Sequence, residues 1–287
     1  STLAQIYKKQ GPHHSYGGPA YYIQMALKQN WLATLFASVL ILTYMGGFNL
    51  LASFNVADAF THYSWANEWT PWIIGAILAV LMAGSIFGGT RRLTDVTGLL
   101  VPVMAIIYLG VGLVVVALNY QNIPAMFSAI FAGAFDFPAI FGGFAGSAMM
   151  YGIKRGLYSN EAGVGSAPNA AASASVSHPA KQGLVQMLSV FIDTMVICTL
   201  TAFVVLSSGV GEDGGVTGAP LVKDAMATVL GQPVAQVFIS VALFLFAFTT
   251  LVGNFYYAEV NFRFLLRNKH MKHWMLSIFR AVAALLV

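Results

Sequence analysis

The sequence predicts an all-α polytopic membrane protein. Of its 287 residues, 58% are hydrophobic and only 8% are charged, whereas a soluble globular chain carries about 25% charged residues. The apolar residues are gathered into uncharged runs, such as residues 31–56 and 96–130. These runs exceed the roughly 20 residues that a helix needs to cross a bilayer. The cations lie mostly between the runs, so the net charge of +4 indicates membrane orientation rather than nucleic-acid binding.

Three predicted spans lie in the first half of the chain. The first covers about residues 31–60 and is preceded by Gly17-Gly18-Pro19, a helix-breaking signal. The second covers about residues 71–89, and the third covers about residues 94–118, because both are long and almost free of charge. Residues 119–138 follow, and we expect an outer loop there with some interfacial helix.

Four further predicted spans lie in the second half. The fourth, about residues 141–176, is rich in glycine. The fifth covers about residues 182–208 and is followed by a polar loop over residues 209–232. The sixth covers about residues 233–266. The seventh begins near Lys272 and ends within an apolar run, while residue 1 is not methionine. We therefore expect a fragment of a longer chain, truncated at both ends.

The distribution of charge predicts the orientation of the spans. If the first span starts on the inner side, ten cations fall on that side and Lys223 alone falls on the outer side. This is a strong positive-inside bias, and we expect a multi-pass protein of a bacterial cell (plasma) membrane. The inner cations are Lys8, Lys9, Lys28, Arg91, Arg92, Lys181, Arg263, Arg267, Lys269 and Lys272. The acidic residues of the outer loops are Glu68, Asp136, Glu212, Asp213 and Asp224.

The most informative stretch is residues 151–170, which read YGIKRGLYSNEAGVGSAPNA. Charged groups within a span, here Lys154, Arg155 and Glu161, are costly and usually functional. The glycines and Pro168 favour a break, and broken helices at membrane depth form the ion and substrate sites of secondary transporters. The alternative, a kinked helix packed through small residues, leaves the three charges unexplained.

Asp193 is a second acid at membrane depth, between apolar runs. A buried carboxylate must be paired, metal-bound or protonated. An ion pair with Lys154 or Arg155 and a place in a sodium site are both open on this reasoning. Cys198 also lies inside an apolar run, and we expect a buried, inert thiol.

The sixth span contains Phe246, Thr249 and Thr250, whose spacing places them on one helix face. The Phe246 carbonyl and the two hydroxyls could therefore converge, and oxygen ligands suit a hard cation. The commoner outcome of this spacing is that each hydroxyl bonds to a carbonyl of its own helix.

Residues 154–171, KRGLYSNEAGVGSAPNAA, closely resemble the signature of the alanine or glycine:cation symporter family. GGPAYY at residues 17–22, HPAKQG at residues 178–183 and FIDT at residues 191–194 also look like this family. The resemblance covers nearly the whole chain.

The resemblance implies a leucine-transporter-like fold of two inverted five-helix repeats. About seven spans would be present in a single transmembrane domain. Residues 31–118 would be the remainder of the first repeat, and residues 141–287 the start of the second. The fourth span would be the broken first helix of the second repeat. The first two helices would precede residue 1, so this fragment alone would hold only part of each site.

The resemblance also implies roles for individual residues. Tyr158 would flank the substrate, and Asn160 to Gly165 would form the unwound stretch. The implied substrate-binding residues are Tyr158, Asn160, Glu161, Gly163 and Gly165. The implied sodium ligands are Ser159 with Asp193, and, at a second sodium site, Phe246, Thr249 and Thr250.

One stretch departs from the family pattern. Many members carry G-N-x-x-Q-A-N in the first span, where this chain reads FNLLASF over residues 48–54. Ala52 occupies the glutamine position and Phe54 the last asparagine position. If that glutamine contacts substrate in the family, selectivity differs here.

The predicted function is secondary active import of alanine or glycine, with sodium ions as the co-transported cofactors. The expected partners are the amino acid and the lipid bilayer, with no nucleic acid. A non-transporting amino-acid receptor or a channel on the same scaffold is the alternative. We do not expect an enzyme, since Ser166 has no histidine within its span to act as a base.

Overall fold

The computed structural model describes residues 1–11, 15–61, 63–87, 89–135, 144–161, 163–210, 216–266 and 273–287. These residues are mostly helical. A short antiparallel hairpin near the start joins β1 (Lys9–Gln10) to β2 (Ser15–Tyr16), with Lys9 opposite Tyr16. The predicted residues Asp136, Glu212, Asp213, Arg267, Lys269 and Lys272 lie outside the described part of the chain, as do residues 141–143 of the fourth predicted span.

The helices follow in chain order, and two of the joints between them are π-helical. Those of the first half are α1 (Thr2–Ile6), α2 (Pro19–Ala26), α3 (Asn30–Leu42), α4 (Asn49–Thr61), α5 (Thr70–Phe87), α6 (Gly89–Leu118) and α7 (Ile123–Ala134). Those of the second half are α8 (Phe144–Asn160), α9 (Ser166–Ser173), α10 (Pro179–Phe191), α11 (Thr199–Ser208), α12 (Ala219–Leu230), α13 (Gln232–Leu265) and α14 (His273–Leu285). A π segment, Thr43–Phe48, joins α3 to α4, and another, Ile192–Cys198, joins α10 to α11. A 3₁₀ turn, Tyr120–Asn122, precedes α7.

Five helical stretches of the described chain are long and apolar enough to cross a membrane. They are Asn30–Thr61, Thr70–Phe87, Gly98–Leu118, Pro179–Ser208 and Gln232–Leu265. These stretches correspond to the predicted first, second, third, fifth and sixth spans, which confirms a polytopic membrane protein. Trp274–Leu285 is a shorter apolar helix at the predicted seventh span. The count of seven spans stays a prediction.

The polar loop expected over residues 209–232 contains a helix instead, so that prediction was wrong in part. Helix α12 has a proline in its first turn, and Ala225 and Met226 are fully buried on one of its faces. It packs against α11. The glycines and acids that open this loop obscured the short apolar face that follows them.

The chain forms two compact units. The first comprises Ser1–Met104, Val164–Met187 and Ser240–Val287, and the second comprises Ala105–Gly163 and Leu188–Ile239. In the first unit, α4, α5, α13 and α14 share an apolar core. Its fully buried members include Val56, Leu78, Met82 and Leu251. Van der Waals packing holds such a core together in lipid, where the hydrophobic effect between helices is weak.

Buried amides join helices within the first unit. Asn254 Nδ2 donates to Asn49 Oδ1 at 3.0 Å, which links α13 to α4. Asn261 Nδ2 donates to Asn169 Oδ1 at 3.1 Å, which links α13 to α9. All four side chains are at least 98% buried. Interhelical hydrogen bonds of this kind contribute about 1 kcal/mol in membranes, so they fix the position of α9.

A buried carboxylate lies near the end of α13. Glu259 is 3% exposed and accepts hydrogen bonds from Arg263 of the same helix and from Arg280 of α14. Arg280 lies within the predicted seventh span, which begins near Lys272, and this contact explains how its charge is accommodated. A buried charge requires such partners, because removing it from water costs several kcal/mol.

Candidate functional site

The chain breaks its helix at the glycine-rich signature. Helix α8 ends at Asn160 and α9 begins at Ser166, and the described residues between them, 161 and 163–165, are not helical. Glu161, Gly163 and Gly165 have φ angles of 51°, 84° and 102°, all in the left-handed region. The predicted break is therefore confirmed, except that Asn160 is the last helical residue rather than part of the unwound stretch.

Gly165 is required at its position for two reasons. Its positive φ disfavours other residues. A Cβ would also lie 2.7 Å from Cζ of Phe36 and 3.1 Å from Cγ of Pro19. The carbonyl of Gly165 accepts a hydrogen bond from Asn169 Nδ2 at 2.8 Å. Thus the start of α9 is held close to α2 and α3 within the first unit.

Ser159 lies at the end of α8, beside the π segment of the second unit. Its Oγ donates to Asp193 Oδ2 at 2.6 Å and lies 3.1 Å from Cys198 Sγ. Residues five apart point about 140° away from each other on an α-helix. The wider π turn brings them closer to one face, which explains how Asp193 and Cys198 both reach Ser159.

A second contact extends this cluster. Asn160 Nδ2 donates to Thr194 Oγ1 at 3.2 Å. Two consecutive residues of α8 therefore contact two consecutive residues of the π segment. The side chains are partly buried, and together they present one carboxylate, two hydroxyls and an amide. Oxygen donors of this kind suit a small, hard cation such as sodium.

The sequence missed part of this cluster. We expected Cys198 to be a buried, inert thiol, but it is half-buried and contacts Ser159. Thr194 received no role beyond its place in the FIDT stretch. The contact that the structure gives Asp193 is with a hydroxyl, and Lys154 and Arg155 are exposed on α8.

The predicted second sodium site lies on α13, in the first unit. The Oγ1 atoms of Thr249 and Thr250 donate to the Phe246 carbonyl at 2.9 Å and 2.8 Å. The three groups thus converge as predicted. The hydrogen bonds are also internal to one helix, as the alternative interpretation predicted. Both interpretations describe the same geometry, so a role in sodium binding stays a prediction.

The remaining predicted residues lie along the break. Tyr158 and Gly163 are exposed, and Asn160 and Glu161 are half-buried. The structure brings Ser159 together with Asp193 in the second unit, and gathers Phe246, Thr249 and Thr250 in the first. Within the described residues, no group of three His, Cys, Asp or Glu side chains could hold a metal ion.

The departure over residues 48–54 falls mainly at the surface of α4. Asn49 keeps the asparagine of the pattern and forms the buried pair with Asn254. Phe54, at the last asparagine position, is 66% exposed, and Ala52 is partly buried beside the apolar core. The change at Phe54 therefore leaves the buried amide pair intact.

Comparison with known proteins agrees with the family resemblance of residues 154–171. The model of the sodium:alanine symporter family matches residues 1–287. The amino-acid carrier protein AlsT of Bacillus subtilis is 44% identical over 100% of this chain and 60% of its own length. The probable sodium/glutamine symporter GlnT of the same organism is 41% identical over 94% of this chain and 56% of its own length. The sodium/alanine symporter AgcS of Methanococcus maripaludis is 36% identical over 91% of this chain and 58% of its own length. The chain thus spans less than two thirds of these relatives.

Proposed function

Because the chain belongs to the sodium:alanine symporter family, we propose that the whole protein imports a small neutral amino acid together with sodium ions. The observation that carries this proposal is the helix break over residues 161–165, flanked by the contact of Ser159 with Asp193. A break of this kind exposes backbone carbonyls and N–H groups, which bind ions and zwitterions in secondary transporters.

The predicted site residues, along the break and outside it, have the following proposed roles. Sodium binds to the oxygens of Ser159 and Asp193, and a second sodium ion binds to Phe246, Thr249 and Thr250. The substrate contacts Tyr158, Asn160, Glu161, Gly163 and Gly165. The carbonyls that end α8 favour a cation, and the N–H groups that begin α9 favour a carboxylate. Each sodium ion that enters releases about 2.3 kcal/mol per 100 mV of membrane potential.

We further propose that the spans form two inverted repeats of the leucine-transporter type. Residues 31–118 belong to the first repeat and residues 141–287 to the second. The broken helix α8–α9 supports this assignment, since discontinuous helices recur in inverted-repeat transporters. The protein lies in the plasma membrane as a multi-pass transporter.

The proposed substrate is alanine or glycine. The names of two relatives indicate sodium-coupled carriage, of glutamine for GlnT and of alanine for AgcS. Ala52 stands where the family pattern has glutamine, so this position bears on which amino acid is transported.

The test is uptake of labelled alanine and glycine into vesicles that contain the full-length protein. An inward sodium gradient is expected to drive accumulation above the outside concentration, and a sodium ionophore is expected to abolish it. Unlabelled glutamine serves as the competitor that tests selectivity. A receptor would bind without accumulation, and a channel would only equilibrate the substrate. Uptake that is indifferent to sodium would contradict the proposed coupling.

A further inference from the structure

A polar cavity lies in the first unit, and none of the residues proposed for transport lines it. Its volume is about 370 Å³. The hairpin strand β1, helix α2, the start of α3 and the end of α13 form its wall. The polar residues used below are Lys9, Gln24, Asn30 and Arg263. Because no proposed sodium or substrate ligand lines it, the cavity needs a different explanation.

Two cations face this cavity, while no lining residue is acidic. Lys9 Nζ lies 5.7 Å from the centre of the Tyr21 ring, within the range of a cation–π contact. Arg263 bonds to Glu259 through Nε and Nη2, and its Nη1 takes no part in those bonds. Glu259 is shared with Arg280. Arg263 and Arg280 therefore share one carboxylate, and Lys9 adds a further positive charge to the cavity wall.

Neutral groups in the wall supply further donors. Gln24 Nε2 donates to Asn30 Oδ1 at 3.0 Å, which leaves Asn30 Nδ2 as a donor outside that bond. Burial raises the pKa of Tyr21, so its phenol stays neutral and adds no negative charge. An anion with several oxygens could accept hydrogen bonds from lysine, arginine and amide at once. Arginine in particular matches the geometry of phosphate.

The surroundings of the cavity indicate where such an anion would come from. Asn30 begins the first candidate span. The neighbouring Leu27 and Trp31 are 60% and 66% exposed. Exposed tryptophan at the start of a span is typical of the headgroup layer of a membrane. Lys9 and Arg263 both belong to the predicted inner set of cations.

We propose that this cavity binds the phosphate of an anionic phospholipid headgroup from the inner leaflet, with Lys9 and Arg263 as its cationic contacts. Basic pockets between transmembrane helices on the cytoplasmic side bind lipid headgroups in this way. The proposal goes beyond transport, and it can be tested without measuring uptake.

The experiment is native mass spectrometry of the full-length protein, titrated with phosphatidylglycerol or with phosphatidylcholine. The wild type is expected to retain phosphatidylglycerol in preference to phosphatidylcholine. Lys9→Gln is expected to weaken that retention about fivefold, since one lysine near an anionic headgroup contributes about 1 kcal/mol. The double variant with Arg263→Gln is expected to weaken it further, while Arg263→Lys, which keeps the charge, retains part of the binding.

Lys28→Gln is the matched control. Lys28 is exposed, lies just after α2 and does not line the cavity, so its substitution removes the same charge from the same predicted side of the membrane. Retention in this variant is expected to stay within twofold of the wild type. Competition by inorganic phosphate for the same site would support phosphate as the recognised group.

Three results would overturn the proposal. The first is equal loss of phosphatidylglycerol in Lys9→Gln and Lys28→Gln, which would indicate general attraction to the membrane surface. The second is equal retention of the two lipids. The third is binding of inorganic phosphate without any binding of phosphatidylglycerol, which would assign the cavity to a soluble phosphate compound.

Discussion

At the scale of single residues, the carboxylate of Asp193 is the feature that most needs an explanation. It lies within a candidate span, half-buried, and its contact is with the hydroxyl of Ser159. A charge at membrane depth is costly unless it is compensated, and a hydroxyl compensates it weakly. On the proposed function, a sodium ion bound beside the two oxygens supplies that compensation.

Asp193→Asn is expected to raise the sodium concentration for half-maximal uptake about tenfold or more. The substitution keeps the shape of the side chain and removes its charge, and interactions of charged groups contribute about 1.5–3 kcal/mol. Sodium dependence of uptake by the full-length protein measures the effect.

Arg155→Gln is the control for that experiment, because Arg155 is exposed on α8 and was one of the two alternative partners of Asp193, with Lys154. It is expected to leave the sodium dependence within twofold. If both variants shift the sodium dependence equally, the role of Asp193 is ion pairing rather than sodium binding.

Contacts between residues far apart in the chain were predictable only where the resemblance supplied them. It paired Ser159 with Asp193, and the structure places them together. Cys198 and Thr194 were missed because α-helical periodicity places them on other faces. The sequence carries no simple signal for a π turn, which depends on packing around the helix.

At the scale of elements, the break between α8 and α9 depends on two glycines in different surroundings. Gly163 and Gly165 both have positive φ. A Cβ on Gly163 would meet no atom within 4 Å among the described residues, whereas one on Gly165 would meet Phe36 and Pro19. Comparing the two positions therefore separates backbone strain from crowding.

Gly163→Ala is expected to destabilise the protein by about 1–2 kcal/mol, the strain of one left-handed residue. Gly165→Ala is expected to cost more, because crowding adds to the same strain. Thermal unfolding of the full-length protein in detergent measures both. Phe36→Leu is expected to recover part of the loss in Gly165→Ala and none of it in Gly163→Ala. Equal losses in the two glycine variants would contradict the close approach of α9 to α3.

Long elements were more predictable than short ones. Five spans follow from apolar runs of sufficient length, and the break follows from glycines and charges within one stretch. Helix α12 and the hairpin of β1 and β2 did not follow. Both are too short for periodicity to distinguish them from loops, and tertiary packing decides their structure.

At the scale of the whole molecule, polar side chains are buried while many apolar ones face outward. Asn49, Asn169 and Asn261 are fully buried. Leu42, Val80 and Ile106 are each at least 70% exposed. This distribution suits a lipid environment, in which buried amides bond between helices and apolar side chains contact acyl chains. The orientation in the membrane rests on the distribution of cations.

Lys28→Cys, in a Cys198→Ala background, is expected to react with a membrane-impermeant maleimide only from the inner side. Glu68→Cys is expected to react only from the outer side. Both residues are exposed and lie outside the candidate spans, so the labels can reach them. The measurement compares right-side-out with inverted vesicles of the full-length protein. Labelling of both variants from the same side would overturn the predicted topology.

The π segment Ile192–Cys198 has a consequence for insertions and deletions. A π turn is equivalent to an α turn that has accepted one extra residue. Deleting one residue there would restore a regular helix and leave α11 close to its present rotation, because the wider turn absorbs the extra residue. Leu200, Val204 and Ser207, which share the buried face of α11, would then keep their packing partners. In a regular α-helix the same deletion would rotate all the residues that follow by about 100°. The π segment is therefore a part of this span where the loss of one residue disturbs the packing little.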